Sequence, residues 1–251
     1  MLRTDRIFIV GNGPSLRQTP LESIGASGCR SFGVNYIHKW YGQTTWRPSD
    51  FAMLDVNAMG ERDYAGAVRF NHEAGAHCWV FEEMRSIVLR RMKTDVVPER
   101  LTFLDRCGKH RTVRQGPSSP PGLRPQTWHP WPLLCFWGGS VSGALQIAMD
   151  HYDAQEIVLV GCDLGFRAWD DQAHDPNHMV PNYVAWNAEH AQSIAPEEVN
   201  WILAWMHEAA AREAEQRGVK VWNATVGGEL EAYERRPLES FVEEPATAGG
   251  R

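Results

Sequence analysis

The sequence is poor in the features that mark several large classes of protein. No apolar run approaches the ~20 residues that a membrane-spanning helix needs. The apolar stretch nearest the start, residues 7–10, is too short for the core of a signal peptide. Lysine and arginine never gather in a block, and 25 basic against 31 acidic residues leave a formal net charge of −6. Recognition of a nucleic-acid backbone needs a basic stripe. The nearest approach to one, Arg85, Arg90, Arg91 and Lys93, reads as the outer face of a helix. Cysteine is scarce. Cys29, Cys78, Cys107, Cys135 and Cys162 are odd in number and contain no CxxC pair. They read as reduced, mostly buried thiols, and with the missing signal segment they point to the cytoplasm. No internal repeat is visible.

What is present is an ordinary globular composition, 43% apolar and 22% charged over 251 residues. Eleven tryptophans supply large side chains for a core or a ligand cleft. Residues 6–10 form a short continuous apolar run ending in glycine, the pattern of a strand buried on both faces. Similar runs fall at 31–34, 51–54, 78–81, 101–104, 157–160 and 219–222. Between them, Val141, Ala144, Leu145, Ala148, Met149 and Tyr152 recur at helical spacing. A second helix spans 196–217, with Val199, Ile202, Leu203, Met206 and Ala210 on one face, Pro196 in its first turn and Gly218 as its cap. Alternating strands and helices predict an α/β, Rossmann-like fold: a mostly parallel sheet of six or seven strands with helices on both faces. In such a sheet the ligand lies beyond the carboxyl ends of the strands.

The chain reads as a single domain over 1–242 with a disordered polar tail at 243–251. Two long irregular stretches directly follow strands. Residues 108–137 are proline-rich, and 163–195 are rich in Asp, His, Asn and Trp. Loops of that length are often functional, and both are expected to act as lids.

The first chemical motif is Gly11-Asn12-Gly13-Pro14-Ser15-Leu16, after the first strand. A chain passing from a buried strand into a helix exposes free backbone N–H groups that attract phosphate. Glycines let a ligand approach the backbone, and Asn12 and Ser15 add hydrogen-bonding side chains. Leu16 stands where the third glycine of GxGxxG would be, and no Lys-Ser/Thr follows as in a P-loop. A plain tight turn is the alternative. Asn35, Asp55 and Asp163 end the second, third and sixth strand-like runs, so a parallel sheet would bring them to the same crevice, although each alone is also a common cap or turn residue.

These residues resemble a known group. The 11–16 segment followed by Asn35 is similar to the bacterial sialyltransferases of glycosyltransferase family 42. It is also similar to the related DUF115 family, which includes flagellin-glycosylating motility accessory factors and archaeal 6-hydroxymethylpterin diphosphokinases. Gly139-Ser140-Val141-Ser142-Gly143-Ala144, the Gly161-Cys162-Asp163 strand end, the segment 177–183 and Asn223-Ala224-Thr225 extend the resemblance over about 6–240. It implies that Asn12, Gly13 and Ser15 hold a nucleotide, with Asn35 and Asp55 near its sugar or phosphates. Ser140, Ser142 and Gly143 would contact it from a helix N-terminus, and Asp163 would close the same site. An Asn replaces Asp55 in the sialyltransferases. Their two tyrosines neutralise the leaving phosphate and a histidine is the base. Here Tyr183 can fill one tyrosine role, and His174, His178 and His190 compete for the base, with His190 slightly ahead as base and His178 as a phosphate or acceptor contact.

The reaction so implied is transfer of a sugar from a nucleotide-activated donor to a hydroxyl acceptor, with a CMP-linked nonulosonic acid as the donor that the sialyltransferase resemblance suggests. A hydroxyl acceptor needs a base that titrates near neutrality, which suits histidine. The departing phosphate needs donors that meet its charge. No cofactor is required. The alternatives are a magnesium-dependent diphosphokinase of the pterin type and a non-catalytic nucleotide- or sugar-binding module. Asp55, Asp163, Asp170, Asp171 and Asp175 are oxygen ligands suited to magnesium. His174 and His178 are four apart, but Glu is missing from the HExxH position and Pro176 interrupts a helix, which disfavours zinc.

Overall fold

A computed structural model describes residues 2–55, 61–106, 131–134, 139–168, 175–183 and 195–242. Most of the two expected lids, and the tail at 243–251, lie outside the described residues. The strands are β1 (Arg3–Val10), β2 (Cys29–Val34), β3 (Asp50–Met53), β4 (His77–Phe81), β5 (Leu101–Leu104), β6 (Glu156–Val160), β7 (Lys220–Asn223) and β8 (Glu234–Arg235). They form one eight-stranded sheet in the order β5-β4-β3-β2-β1-β6-β7-β8, with every pairing parallel. Seven strands fall on the seven apolar runs. The eighth is two exposed charged residues at the sheet edge, a place where charge suits the strand and where no apolar run signals it.

The apolar runs are continuous because both faces of the sheet are covered. In β1, Ile7, Phe8, Ile9 and Val10 all have no exposed surface. Phe8 and Val10 join Phe51, Met53, Val80, Val158 and Val160 on one face. Ile7 and Ile9 join Phe32, Val34, Trp79, Phe81 and Leu159 on the other. Each such side chain removed from water contributes about 1.5–3 kcal/mol. Helices α1 (Leu21–Ala26), α2 (Glu61–Glu73) and α3 (Arg85–Met92) supply Leu21, Ile24, Tyr64, Val68 and Val88 to the first face. Helices α4 (Ser140–Asp150) and α5 (Pro196–Arg217) supply Ala144, Leu145, Ala148, Ala210 and Ala214 to the second.

Of the expected stripe on α4, Ala144, Leu145, Ala148 and Met149 are buried, while Val141 and Tyr152 are half-buried and Ser142, Gly143, Gln146 and Ile147 are buried as well; α5 also differs from its pattern. Met206 and Ala210 are buried as expected. Val199, Ile202 and Leu203 are only half-buried, and Trp205, His207 and Ala214 complete the inner face. His207 escapes an apolar count because it packs as a neutral ring. Its Nδ1 lies 3.2 Å from the Tyr233 hydroxyl, and burial lowers its pKa to about 4. Cys29, Cys78 and Cys162 are buried free thiols; Cys107 and Cys135 lie outside the described residues. Among the described residues, no helix is long and apolar enough to cross a membrane.

Candidate functional site

Strands β2 to β5 extend the sheet to one side of β1, and β6 to β8 extend it to the other. The chain therefore diverges between β1 and β6, and a crevice opens at their carboxyl ends. The turn after β1 is pinned to the turn after β6 through Gly11 N–H to the Val160 carbonyl (2.8 Å) and Gly13 N–H to the Gly161 carbonyl (2.9 Å). The Asp163 carboxylate reaches back across this seam. It accepts the Ser15 N–H at 3.1 Å and the Ser15 hydroxyl at 2.7 Å. Gly13 is required by that approach: an added Cβ would lie 2.5 Å from Asp163 Cγ and 2.9 Å from the Gly161 carbonyl oxygen. Gly11 faces the Gly161 carbonyl in the same way, 3.0 Å from its carbon.

This geometry bears on the expected phosphate cradle. Pro14 opens a five-residue 3-10 helix, Pro14–Gln18, rather than an α-helix with a developed dipole. The N–H of Ser15 is already taken by a carboxylate of the same chain. A second anion about 4 Å from it would meet repulsion of about 4 kcal/mol at an effective dielectric of 20. One charge-assisted hydrogen bond returns only about 1.5–3 kcal/mol. Burial pushes the Asp163 carboxyl up, with the two Ser15 donors opposing. Behind it, the Glu229 N–H binds the Asp163 carbonyl at 2.6 Å, and Arg235 donates to the carbonyls of Gly227 and Gly228, holding the 225–230 turn.

The neighbouring strand ends carry a different set of groups. Asn12 donates from Nδ2 to the Val34 carbonyl at 2.9 Å, which fixes its amide, while Oδ1 is buried and has no hydrogen-bond partner among the described residues. Asn35, at φ 50°, accepts the Ser140 hydroxyl on Oδ1 at 2.5 Å. Ser140 Oγ in turn accepts the Leu54 N–H at 3.3 Å. The N-terminus of α4, an eleven-residue helix, is thereby aimed at the ends of β2 and β3. Here the helix dipole favours an anion as the sequence expectation required of the earlier turn. Ser142 and Gly143 lie one step inside. The Ser142 hydroxyl donates to the Gly139 carbonyl at 2.7 Å, and a Cβ on Gly143 would lie 2.7 Å from Leu134 Cδ2. Asp55 closes β3, half-buried. Burial, then the charges of Asp63 and Asp55, push the Tyr36 hydroxyl up to about 12.

The segment 175–183 crosses over these ends. Its Met179 N–H donates to the Asn12 carbonyl at 2.9 Å, and Arg17 anchors it through the carbonyls of Met179 (2.9 Å) and His178 (3.1 Å). Lys39 grips its far end at the carbonyls of Asn182 (3.0 Å) and Tyr183 (2.5 Å). Neither anchor carried a sequence signal, since each binds backbone more than 140 residues away. His178 Nδ1 lies 2.7 Å from Asp175 Oδ2, and its ring stacks on Tyr183 with centroids 3.8 Å apart and planes at 5°. Tyr183 is buried, and its hydroxyl accepts the Tyr36 N–H at 3.2 Å.

The structure thus brings Asn12, Asn35, Ser140, His178 and Tyr183 to one region, and joins Asp163 to Ser15. His174, His190, Asp170 and Asp171 lie outside the described residues. Asp175, read from sequence as an oxygen ligand, faces His178 instead. Among the described residues, no group of three or more His, Cys, Asp or Glu side chains is arranged to hold a metal ion.

No protein-family model and no curated protein matches the chain. Among solved structures it is similar to a MAf glycosyltransferase from Magnetospirillum magneticum AMB-1, with a TM-score of 0.51 and 16% identity. The match covers 98% of this chain and 35% of the other, so the chain spans about a third of that protein's length. The likeness is one of fold.

Proposed function

We propose that this chain transfers a sugar from a nucleotide-activated donor to a hydroxyl acceptor, in the crevice over the carboxyl ends of β1, β2 and β3. One observation carries the reading: polar groups from β1 (Asn12), β2 (Asn35), the start of α4 (Ser140) and the overlying 175–183 segment converge at a topological divergence of a parallel sheet. The fold likeness to a MAf glycosyltransferase supports the same class. In this reading the α4 N-terminus receives the phosphate, and the buried Asn12 Oδ1 receives a donor group of the ligand, a hydroxyl or an amine, because an acceptor cannot bind a phosphate oxygen. A CMP-linked sugar is the first donor to test, and a histidine of the 163–195 loop is the base.

Thermal-shift measurements with CMP, CMP-sugars, UDP-sugars, GDP-sugars and ATP identify the donor, since a ligand that binds the folded state raises Tm. Turnover of the stabilising nucleotide sugar is expected to persist in EDTA. Activity on ATP that disappears with EDTA would instead establish diphosphoryl transfer, which needs magnesium to bridge phosphates. Binding without turnover of any donor would leave a binding module.

A further inference from the structure

Three partners fix the His178 imidazole. Asp175 Oδ2 holds Nδ1 at 2.7 Å, the Tyr183 ring covers one face at 3.8 Å, and the Phe166 ring meets it edge-on at 5.8 Å. Asp175 is itself 1% exposed and locked: its Oδ1 accepts the Asn177 N–H at 2.9 Å, and its own N–H donates to the Pro181 carbonyl at 3.2 Å. Tyr183 is tied to the end of β2 through its hydroxyl. The His178 side chain keeps 19% of its surface exposed, and among the described residues nothing hydrogen-bonds Nε2. A neutral imidazole carries one proton, and a carboxylate against Nδ1 requires that proton to be there. Nε2 is then the acceptor.

We infer that Asp175 is a positioning residue that holds His178 in the Nδ1–H form, so that Nε2 takes the proton of the acceptor hydroxyl. The step rests on the glycosyltransferase reading above. The acceptor O–H proton moves to Nε2 while its oxygen bonds to the sugar's anomeric carbon. The bond from that carbon to the donor phosphate oxygen breaks, and the nucleotide leaves with the electron pair. Asp175 then faces an imidazolium and stabilises its charge. This arrangement gives Tyr183 the role of a platform beneath the base, and gives Asp175 a role in proton transfer in place of metal binding.

The ¹⁵N signals of the imidazole in the labelled full chain test the inference without any substrate. At about pH 8, where a histidine is ordinarily neutral, His178 in the parent protein is expected to carry its proton on Nδ1, assigned by the signals lost in His178→Gln. Asp175→Asn, which keeps the shape but can turn an amide N–H toward Nδ1, is expected to move the proton to Nε2. Tyr183→Phe keeps the stack and is expected to keep the parent form, which guards against a general collapse of the loop. With a donor in hand, Asp175→Asn should lower kcat by roughly 10²-fold or more with little change in KM. A parent His178 protonated on Nε2, or an Asp175→Asn protein that retains the Nδ1–H form, overturns the inference. Failure of every donor to turn over counts against the glycosyltransferase reading and is recognised separately, because the tautomer does not depend on it.

Discussion

The turn at 11–15 and the segment at 175–183 lie together over the end of β1, joined by the bond from Met179 to Asn12, yet they dispose of their polar groups in opposite ways. In the turn, the Ser15 N–H and hydroxyl both meet Asp163, and the two glycines are the room that the β6 turn needs. In the segment, Asp175 and Tyr183 fix a histidine whose Nε2 is unbonded among the described residues. The glycine-rich turn spends its donors on the same chain, and in the proposed reaction the base comes from the less conspicuous neighbour. Asn12 belongs to both, since its backbone carbonyl holds the segment and its side-chain oxygen has no partner among the described residues.

The largest effect separating the two regions is expected from His178→Ala. It should reduce kcat by roughly 10²–10⁴-fold with a modest change in nucleotide affinity and in Tm. A phosphate contact would lose affinity as well, and near-parent turnover would return the base role to His190 or His174. Gly13→Ala should act the other way, on stability, by about 1–3 kcal/mol in denaturant unfolding, the range of an overpacked site. In the Asp163→Ala background the cost of Gly13→Ala should fall but not vanish, because the carboxylate is gone while the Gly161 carbonyl oxygen remains 2.9 Å from the added Cβ. Equal costs of Gly13→Ala in both backgrounds would mean that something other than Asp163 demands the glycine.

A smaller effect sharpens the same contrast. Asp163→Asn keeps an acceptor for the Ser15 N–H and a donor for its hydroxyl, so stability near neutral pH should change by about 1 kcal/mol or less. Its pH dependence is more informative. The Asp163 carboxyl is raised above 3.8 by burial. Between 3.8 and its folded value the native state holds a proton that the unfolded state has released, so this group makes stability fall as pH rises through that window. Asp163→Asn should remove that component of the slope, and an unchanged profile would show that Asp163 does not titrate there.

The sheet was legible because burial on both faces writes itself into sequence as short apolar runs, as in Ile7 to Val10, where no residue is exposed. The two-residue edge strand β8 has no such run, and Arg235 is occupied with the carbonyls of Gly227 and Gly228. His207 was hidden inside α5 because a neutral buried histidine counts as polar in a sequence and as apolar in a core. Asn35 and Ser140 stand out in the sequence as candidate site residues, but not as each other's partners across 105 positions. The link from Ser15 to Asp163 spans 148 positions, and it occupies two of the donors that the sequence offers to an anion. Asp175 stood three residues from His178 in plain view. A carboxylate in a sequence is equally a metal ligand and a histidine partner, and only the 2.7 Å contact distinguishes them.

The location of the ligand is the claim on which the account rests, and backbone amide chemical shifts of the labelled full chain test it most directly. Cytidine, uridine, guanosine and adenosine nucleotides are added in turn. The nucleotide that binds should move the amides of Asn12, Asn35, Ser140 and Met179 at the carboxyl edge of the sheet, and leave Arg30, Asp50 and His77 at the opposite edge unmoved. Shifts confined to Arg30, Asp50 and His77, or no shift with any of the four, would contradict it.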